Sequence, residues 1–128
     1  MPFARLTLTP APMPDTARLL AQSLTTLIAE ALAKDASLTA VLIESPAGAL
    51  WTIAATPYAQ AAHLEVRVTA GTNSPAQKAD FIARAQRLLC ATWPGLAPAT
   101  YVCVLESPGS DWGYDGQTQA ARAAQAAL

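Results

Sequence analysis

Glu44-Ser45-Pro46-Ala47-Gly48-Ala49-Leu50-Trp51 and Glu106-Ser107-Pro108-Gly109-Ser110-Asp111-Trp112 are two versions of one segment. Both open on Glu-Ser-Pro and end on tryptophan, at offsets of 62 residues (Glu44 to Glu106) and 61 residues (Trp51 to Trp112). The residues just upstream also match in kind. Val41-Leu42-Ile43 is a short apolar run without alternation, the pattern of a central parallel strand covered on both faces. Tyr101-Val102-Cys103-Val104-Leu105 is its counterpart.

Each of these strands follows a helical pattern, and each helix follows an alternating strand. Residues 3–8 place Ala4, Leu6 and Leu8 on one face and Phe3, Arg5 and Thr7 on the other. His63 to Thr69 repeats that alternation, with Leu64, Val66 and Val68 set against His63, Glu65 and Arg67. After the proline-rich stretch from Thr9 to Pro14, a helix begins near Asp15. It lines up Ala17, Leu20, Leu24, Leu27, Ile28 and Ala31, leaving Arg18, Gln22, Thr25 and Lys34 outside. In the second copy Gly71-Thr72-Asn73 turns the chain. Ser74-Pro75-Ala76-Gln77 then supplies an N-cap, a proline at the first helical position and the glutamine of a capping box. Phe81, Ile82, Ala85, Leu88 and Leu89 form its apolar stripe, and Trp93-Pro94-Gly95 ends it. The chain is thus a tandem β-α-β duplication within a single domain, residues 1–128. Repeat 1 covers 1–56, repeat 2 covers 62–116, and an alanine-rich tail, 117–128, follows the turn Gly113-Tyr114-Asp115-Gly116. Each β-α-β crossover is expected to be right-handed.

Composition narrows the function classes. The 128 residues carry a net charge of −1 and no basic cluster, so the footprint of a nucleic-acid binder is absent. No apolar run approaches a membrane span, and no stretch reads as a signal peptide, so a cytoplasmic location is expected. With 52% hydrophobic and 13% charged residues, surface is expected to be hidden in an oligomer. Cys90 and Cys103 lie in apolar segments and read as free, buried thiols. With a single histidine, His63, neither a metal site nor a cofactor is called for.

One feature escapes the duplication. Met1-Pro2 opens the first strand, and Pro2 aligns with Ala62, so the second copy has no counterpart. Removal of Met1 would leave Pro2 with a secondary α-amine. Such an amine titrates near pH ~8 and lower when desolvated, within reach of general-base work.

The Met-Pro start, the duplicated β-α-β unit and an aromatic-bearing hairpin after each second strand together resemble the tautomerase superfamily. That group contains 4-oxalocrotonate tautomerase, macrophage migration inhibitory factor and malonate semialdehyde decarboxylase. Pro2-Phe3-Ala4-Arg5 and Leu38-Thr39-Ala40-Val41 resemble one short tautomerase unit. Ser74-Pro75-Ala76-Gln77-Lys78 and the segment from Glu106 to Trp112 are closer to the decarboxylase.

The resemblance implies a four-stranded sheet with two helices on one face, assembled as a trimer. It also implies tautomerisation of a small 2-keto or 2-hydroxydienoic acid by Pro2, acting as general base and acid without a cofactor. Trp112 matches the aromatic wall of the pocket, and Tyr114 matches by position. The carboxylate-binding arginines of the family are missing: the turns read Pro10-Ala11-Pro12-Met13-Pro14 and Gly71-Thr72-Asn73, and the strand position holds Leu42. Thr39 stands where the decarboxylases carry an acid. Thr72, Asn73 and the amides opening the second helix are the remaining candidates for a carboxylate, because helix N-termini attract anions. Two alternatives stay open: a non-catalytic structural or interaction protein on the same fold, and a decarboxylase or hydratase with an atypical site.

Other residues read as structural. Arg5 and Arg67 are expected to be paired or solvated, Trp51 to pack in an interface, and His63 to be exposed at a strand edge. Glu44 and Glu106 close the two second strands symmetrically.

Overall fold

The computed structural model describes residues 2–128; Met1 lies outside the described residues. Strand β1 (Phe3–Thr9) leads into helix α1 (Pro14–Leu32) and returns as β2 (Ala40–Glu44), which runs parallel to it. A small hairpin follows, β3 (Thr52–Ile53) and β4 (Thr56–Pro57). The second unit repeats the course as β5 (Ala61–Thr69), α2 (Pro75–Thr92) and the parallel strand β6 (Tyr101–Ser107). Its own hairpin, β7 (Gly113–Tyr114) and β8 (Gln117–Thr118), passes into a short helix α3 (Gln119–Ala126). The expected tail thus gives its first two residues to the hairpin and its next eight to a helix.

β1 and β5 pair antiparallel, so the four main strands stand in the order β2-β1-β5-β6. This joins two parallel β-α-β units back to back about a local two-fold relation. Strand parity then sorts the side chains. Ala4, Leu6, Leu8, Leu64, Val66 and Val68 are buried under α1 and α2, where they meet Leu20, Leu24, Ile28, Phe81, Ala85 and Leu89. Burial of this apolar surface is the main favourable term in folding.

The opposite face carries no helix and holds Phe3, Arg5, Leu42, Glu65, Arg67 and Tyr101.

Four expectations are corrected. Val41-Leu42-Ile43 is not a central strand: β5 enters between β1 and β6, which leaves β2 at the edge. Val41 and Ile43 pack on the core, but Leu42 is 38% exposed on the helix-free face. Ile82 leaves the buried stripe, at 40% exposed, because it stands one helical step from Phe81, whose direction points to the sheet. Lys34 does not extend into solvent but turns back onto the second repeat. Both cysteines are free, and both are half-buried rather than buried.

α2 starts as the sequence predicts. Ser74 Oγ accepts from Gln77 N at 3.1 Å, and Gln77 Oε1 accepts from Ser74 N at 2.9 Å. No helix among the described residues is long and apolar enough to cross a membrane.

Candidate functional site

Pro2 is fully buried and continues the inward parity of Ala4 and Leu6. Its carbonyl accepts from Ala40 N at 3.2 Å, which ties the start of β1 to the start of β2. At the same end of the sheet β5 and β6 finish, α1 finishes and α2 begins. The four other candidate residues are therefore drawn toward Pro2 by topology.

Trp112 is half-buried, and its indole Nε1 donates to Thr69 Oγ1 at 3.1 Å. Thr69 closes β5 two residues beyond Arg67, the register partner of Phe3, so the indole is pinned at the level of the chain start. Tyr114 sits two residues on in β7, half-buried, with the Arg122 guanidinium 3.8 Å above its ring centroid. Thr72 Oγ1 donates to the Thr69 carbonyl at 2.7 Å and accepts from Lys34 Nζ at 2.8 Å. Burial pushes the Lys34 ammonium below the ordinary lysine value, because desolvation disfavours the charged form.

Asn73 behaves differently from its expected role. Its Nδ2 donates to the Leu32 carbonyl at 2.8 Å and to Gln77 Oε1 at 3.0 Å, joining the end of α1 to the start of α2. That amide is committed to structure.

Charges on the helix-free face are mostly internally matched. Arg5 Nε lies 3.6 Å from Glu44 Oε1, which also accepts from Thr7 Oγ1 at 3.0 Å. Arg67 donates to Ser107 Oγ at 2.6 Å. Phe3, Arg5, Glu65, Arg67 and Leu105 enclose a cavity of about 220 Å³ beside the Pro2 end. Glu106 pairs with Lys78 and accepts from Gly71 N at 3.3 Å, so it fixes the turn that carries Thr72. Thr39, at the position of the missing acid, donates its hydroxyl to the Asp35 carbonyl at 2.8 Å.

The far end of the sheet is the local symmetry mate of this corner. There Trp51, Thr52, His63 and Tyr101 line a cavity of about 330 Å³ next to Ala62. His63 is half-buried on the inner strand β5, not exposed at a strand edge; its Nε2 lies 3.0 Å from Glu65 Oε1. The described residues hold no cluster of three or more metal-ligating side chains.

Lys34, Thr69, Gln119 and Arg122 are the members of this corner that sequence reading missed. Arg122 had a usable signal, being the one charged residue in the stretch from Gln117 to Leu128. Lys34 had none, since its role depends on where α1 ends relative to Thr72.

No family model and no curated protein matches the sequence. Solved structures do match. Pt0534 inactivated by 2-oxo-3-pentynoate superposes with a TM-score of 0.84 at 14% identity, over 94% of this chain and 98% of that one. A fused 4-OT, the F6 wild-type asymmetric trimer, gives 0.84 at 21% identity over the same shares of the two chains. A macrophage migration inhibitory factor-like protein from Entamoeba histolytica gives 0.77 at 19% identity, over 91% of this chain and 97% of that one. Their coverage is nearly end to end, and both β-α-β units are included. The chain has the tautomerase fold, in the two-repeat form of the fused 4-OT proteins.

Proposed function

We propose that this protein is a cofactor-independent tautomerase of small 2-keto or 2-hydroxydienoic acids. In this reading Pro2, freed of Met1, carries the proton. The observation that supports it most is the burial of Pro2 at the one sheet end where Trp112, Thr72 and Lys34 also gather. A buried secondary amine is desolvated, which lowers its pKa toward neutrality. The unprotonated amine then takes a proton from the enol oxygen or the α-carbon and returns it at the other. No bond to the enzyme is needed, and general acid–base transfer of this kind contributes about 10²–10⁴-fold. Trp112 and Tyr114 supply the flat wall against which a planar dienol lies, and Thr72 with Lys34 supplies polarity at one edge.

The likeness to fused 4-OT trimers supports a homotrimer. So does the helix-free sheet face, where Phe3 is 39%, Leu42 38% and Tyr101 67% exposed. Large apolar side chains left exposed on a sheet face without a covering helix are what an association face presents. Sedimentation velocity gives three times the chain mass under this reading; a monomer removes the shared-face argument.

Two measurements test the activity. Intact mass must show that mature protein lacks Met1, because an acylated proline nitrogen has no basic lone pair. Ketonisation of phenylenolpyruvate and of 2-hydroxymuconate is then compared between wild type and Pro2→Ala. Equal rates eliminate the proline mechanism. The commitment of Asn73 to helix ends favours the second reading, a non-catalytic member of the fold, and inactivity of wild type on both acids would select it.

A further inference from the structure

The C-terminal helix α3 holds a feature that the fold alone does not require. Gln119 Nε2 and Arg122 Nε are both shut off from solvent, and neither has a hydrogen-bond partner. The two residues are three apart on α3 and so share one face of it. Both orphan groups are N–H donors, and one belongs to a guanidinium that cannot shed its charge. No carboxylate among the described residues lies within salt-bridge distance of Arg122. Its contacts are the Tyr114 ring and the Tyr114 carbonyl, which accepts from Nη2 at 3.0 Å. Buried polar groups are nearly always satisfied, so an orphaned pair of this kind calls for a missing acceptor.

The geometry points to a carboxylate as that acceptor, held by Arg122 and Gln119 against the Tyr114 hairpin. Arginine suits this role because its planar fork of donors matches two carboxylate oxygens. The side-chain amide of Gln119 adds a neutral donor from the preceding turn. No arginine stands at the positions that the family resemblance implies; α3 brings one to the β7–β8 hairpin instead.

α3 is also suited to enclosing a ligand. It has eight residues and none of them is buried. A helix this short is marginal alone and opens locally at little cost. It is held by Ala120 N donating to the Gly109 carbonyl at 2.9 Å, Gln119 N to the Trp112 carbonyl at 3.0 Å, and the Thr118 N-cap. The acid enters while α3 is lifted, and α3 closes with its two donors on the carboxylate.

This inference rests on the proposed tautomerase reading only for which acid is bound in use, so it is tested with an acid that carries no enol. Succinate and dimethyl succinate are titrated into mature full-length protein, with calorimetry for affinity and NMR for the Arg122 Nε–Hε and Gln119 side-chain amide signals. Succinate is expected to bind and to move both signals, while the diester does not bind. Arg122→Gln should lose affinity by at least about tenfold, the loss of one charge-assisted contact, and Arg122→Lys should recover part of it. Absence of succinate binding at millimolar concentration, equal binding of the diester, unmoved Arg122 signals or unchanged affinity in Arg122→Gln each overturn the site. The two readings fail separately. Pro2-dependent turnover with an indifferent Arg122 sinks this site alone, whereas Arg122-dependent succinate binding without any turnover sinks the tautomerase alone.

Discussion

The two ends of the sheet are built by the same words of sequence and finished differently. At the far end, Trp51 accepts from Tyr58 N through its carbonyl at 2.9 Å; at the Pro2 end, Trp112 accepts from Gln119 N at 3.0 Å. Those two bonds are symmetry mates. Around them the chemistry diverges. Glu44 turns inward to Thr7 and Arg5, whereas Glu106 reaches across to Lys78 and Gly71. The far hairpin turns through Ala54 and Ala55, both at positive φ (52° and 62°), and the near one through Asp115 and Gly116 (50° and 78°). The first hairpin is therefore the strained copy, since alanine in the left-handed region is disfavoured and glycine is not. Only the near end gains a buried proline, a lysine and an arginine-bearing helix. A duplicated scaffold leaves its two ends free to carry different side chains on the same backbone.

Replacing Pro2 by alanine attacks that difference most directly. Turnover of 2-hydroxymuconate should fall by about 10²–10⁴-fold, measured under conditions where the variant is fully folded, since Pro2 is buried and its truncation also costs stability. A variant as active as wild type would make the two ends chemically alike. Next in size, Phe81→Ala should cost about 3–5 kcal/mol and its repeat mate Leu20→Ala about 2–5 kcal/mol, because both are buried and leave cavities. Each should give one cooperative urea transition. Separate transitions would mean that the repeats fold as independent units.

Gly113→Ala isolates the near hairpin. A methyl group there would run into the Gln117 carbonyl oxygen, so β7 and β8 must part, at about 1–3 kcal/mol. Trp112 fluorescence should shift with it. In the far hairpin the corresponding residue is Thr52, which already carries a side chain. There, Ala55→Gly should raise stability by up to ~1 kcal/mol through relief of left-handed strain, read from the denaturation midpoint. A destabilised Ala55→Gly would show that the turn is held by something other than its own conformation.

The smallest effect concerns the turn before β2. Ser37 donates from both its hydroxyl and its amide to Asp35, which holds the Asp35 carboxyl below its ordinary value. A depressed carboxyl stabilises the fold above its unfolded pKa and loses that contribution as pH falls through the folded one. Asp35→Ala should thus narrow the difference from wild type on acidification below the usual carboxylate range. A constant difference across that range would remove the linkage.

Much of the fold is legible because its signals are local. The alternation in residues 3–8 and 63–69, the Ser74–Gln77 capping box and the Glu-Ser-Pro repeats each depend on neighbours in sequence. Val41-Leu42-Ile43 shows where that legibility stops. An apolar run states that a strand packs on something, and only the antiparallel pairing of β1 with β5 makes β2 an edge. The candidate site divides along the same line. Pro2 and Trp112 announce themselves by position and repeat, while Asn73 looks like a ligand holder until Leu32 is seen beside it.

By itself the sequence determined the two β-α-β units, the placement of their helices and the singularity of Pro2, since periodicity, capping and residue type act over a few residues. Tertiary structure alone decided which strands lie at the edge, that Lys34 meets Thr72, and that Arg122 reaches Tyr114 with no carboxylate among the described residues in salt-bridge reach. Those depend on contacts between segments far apart in the chain. Their partners are chosen by how the two repeats pack, which no local pattern encodes.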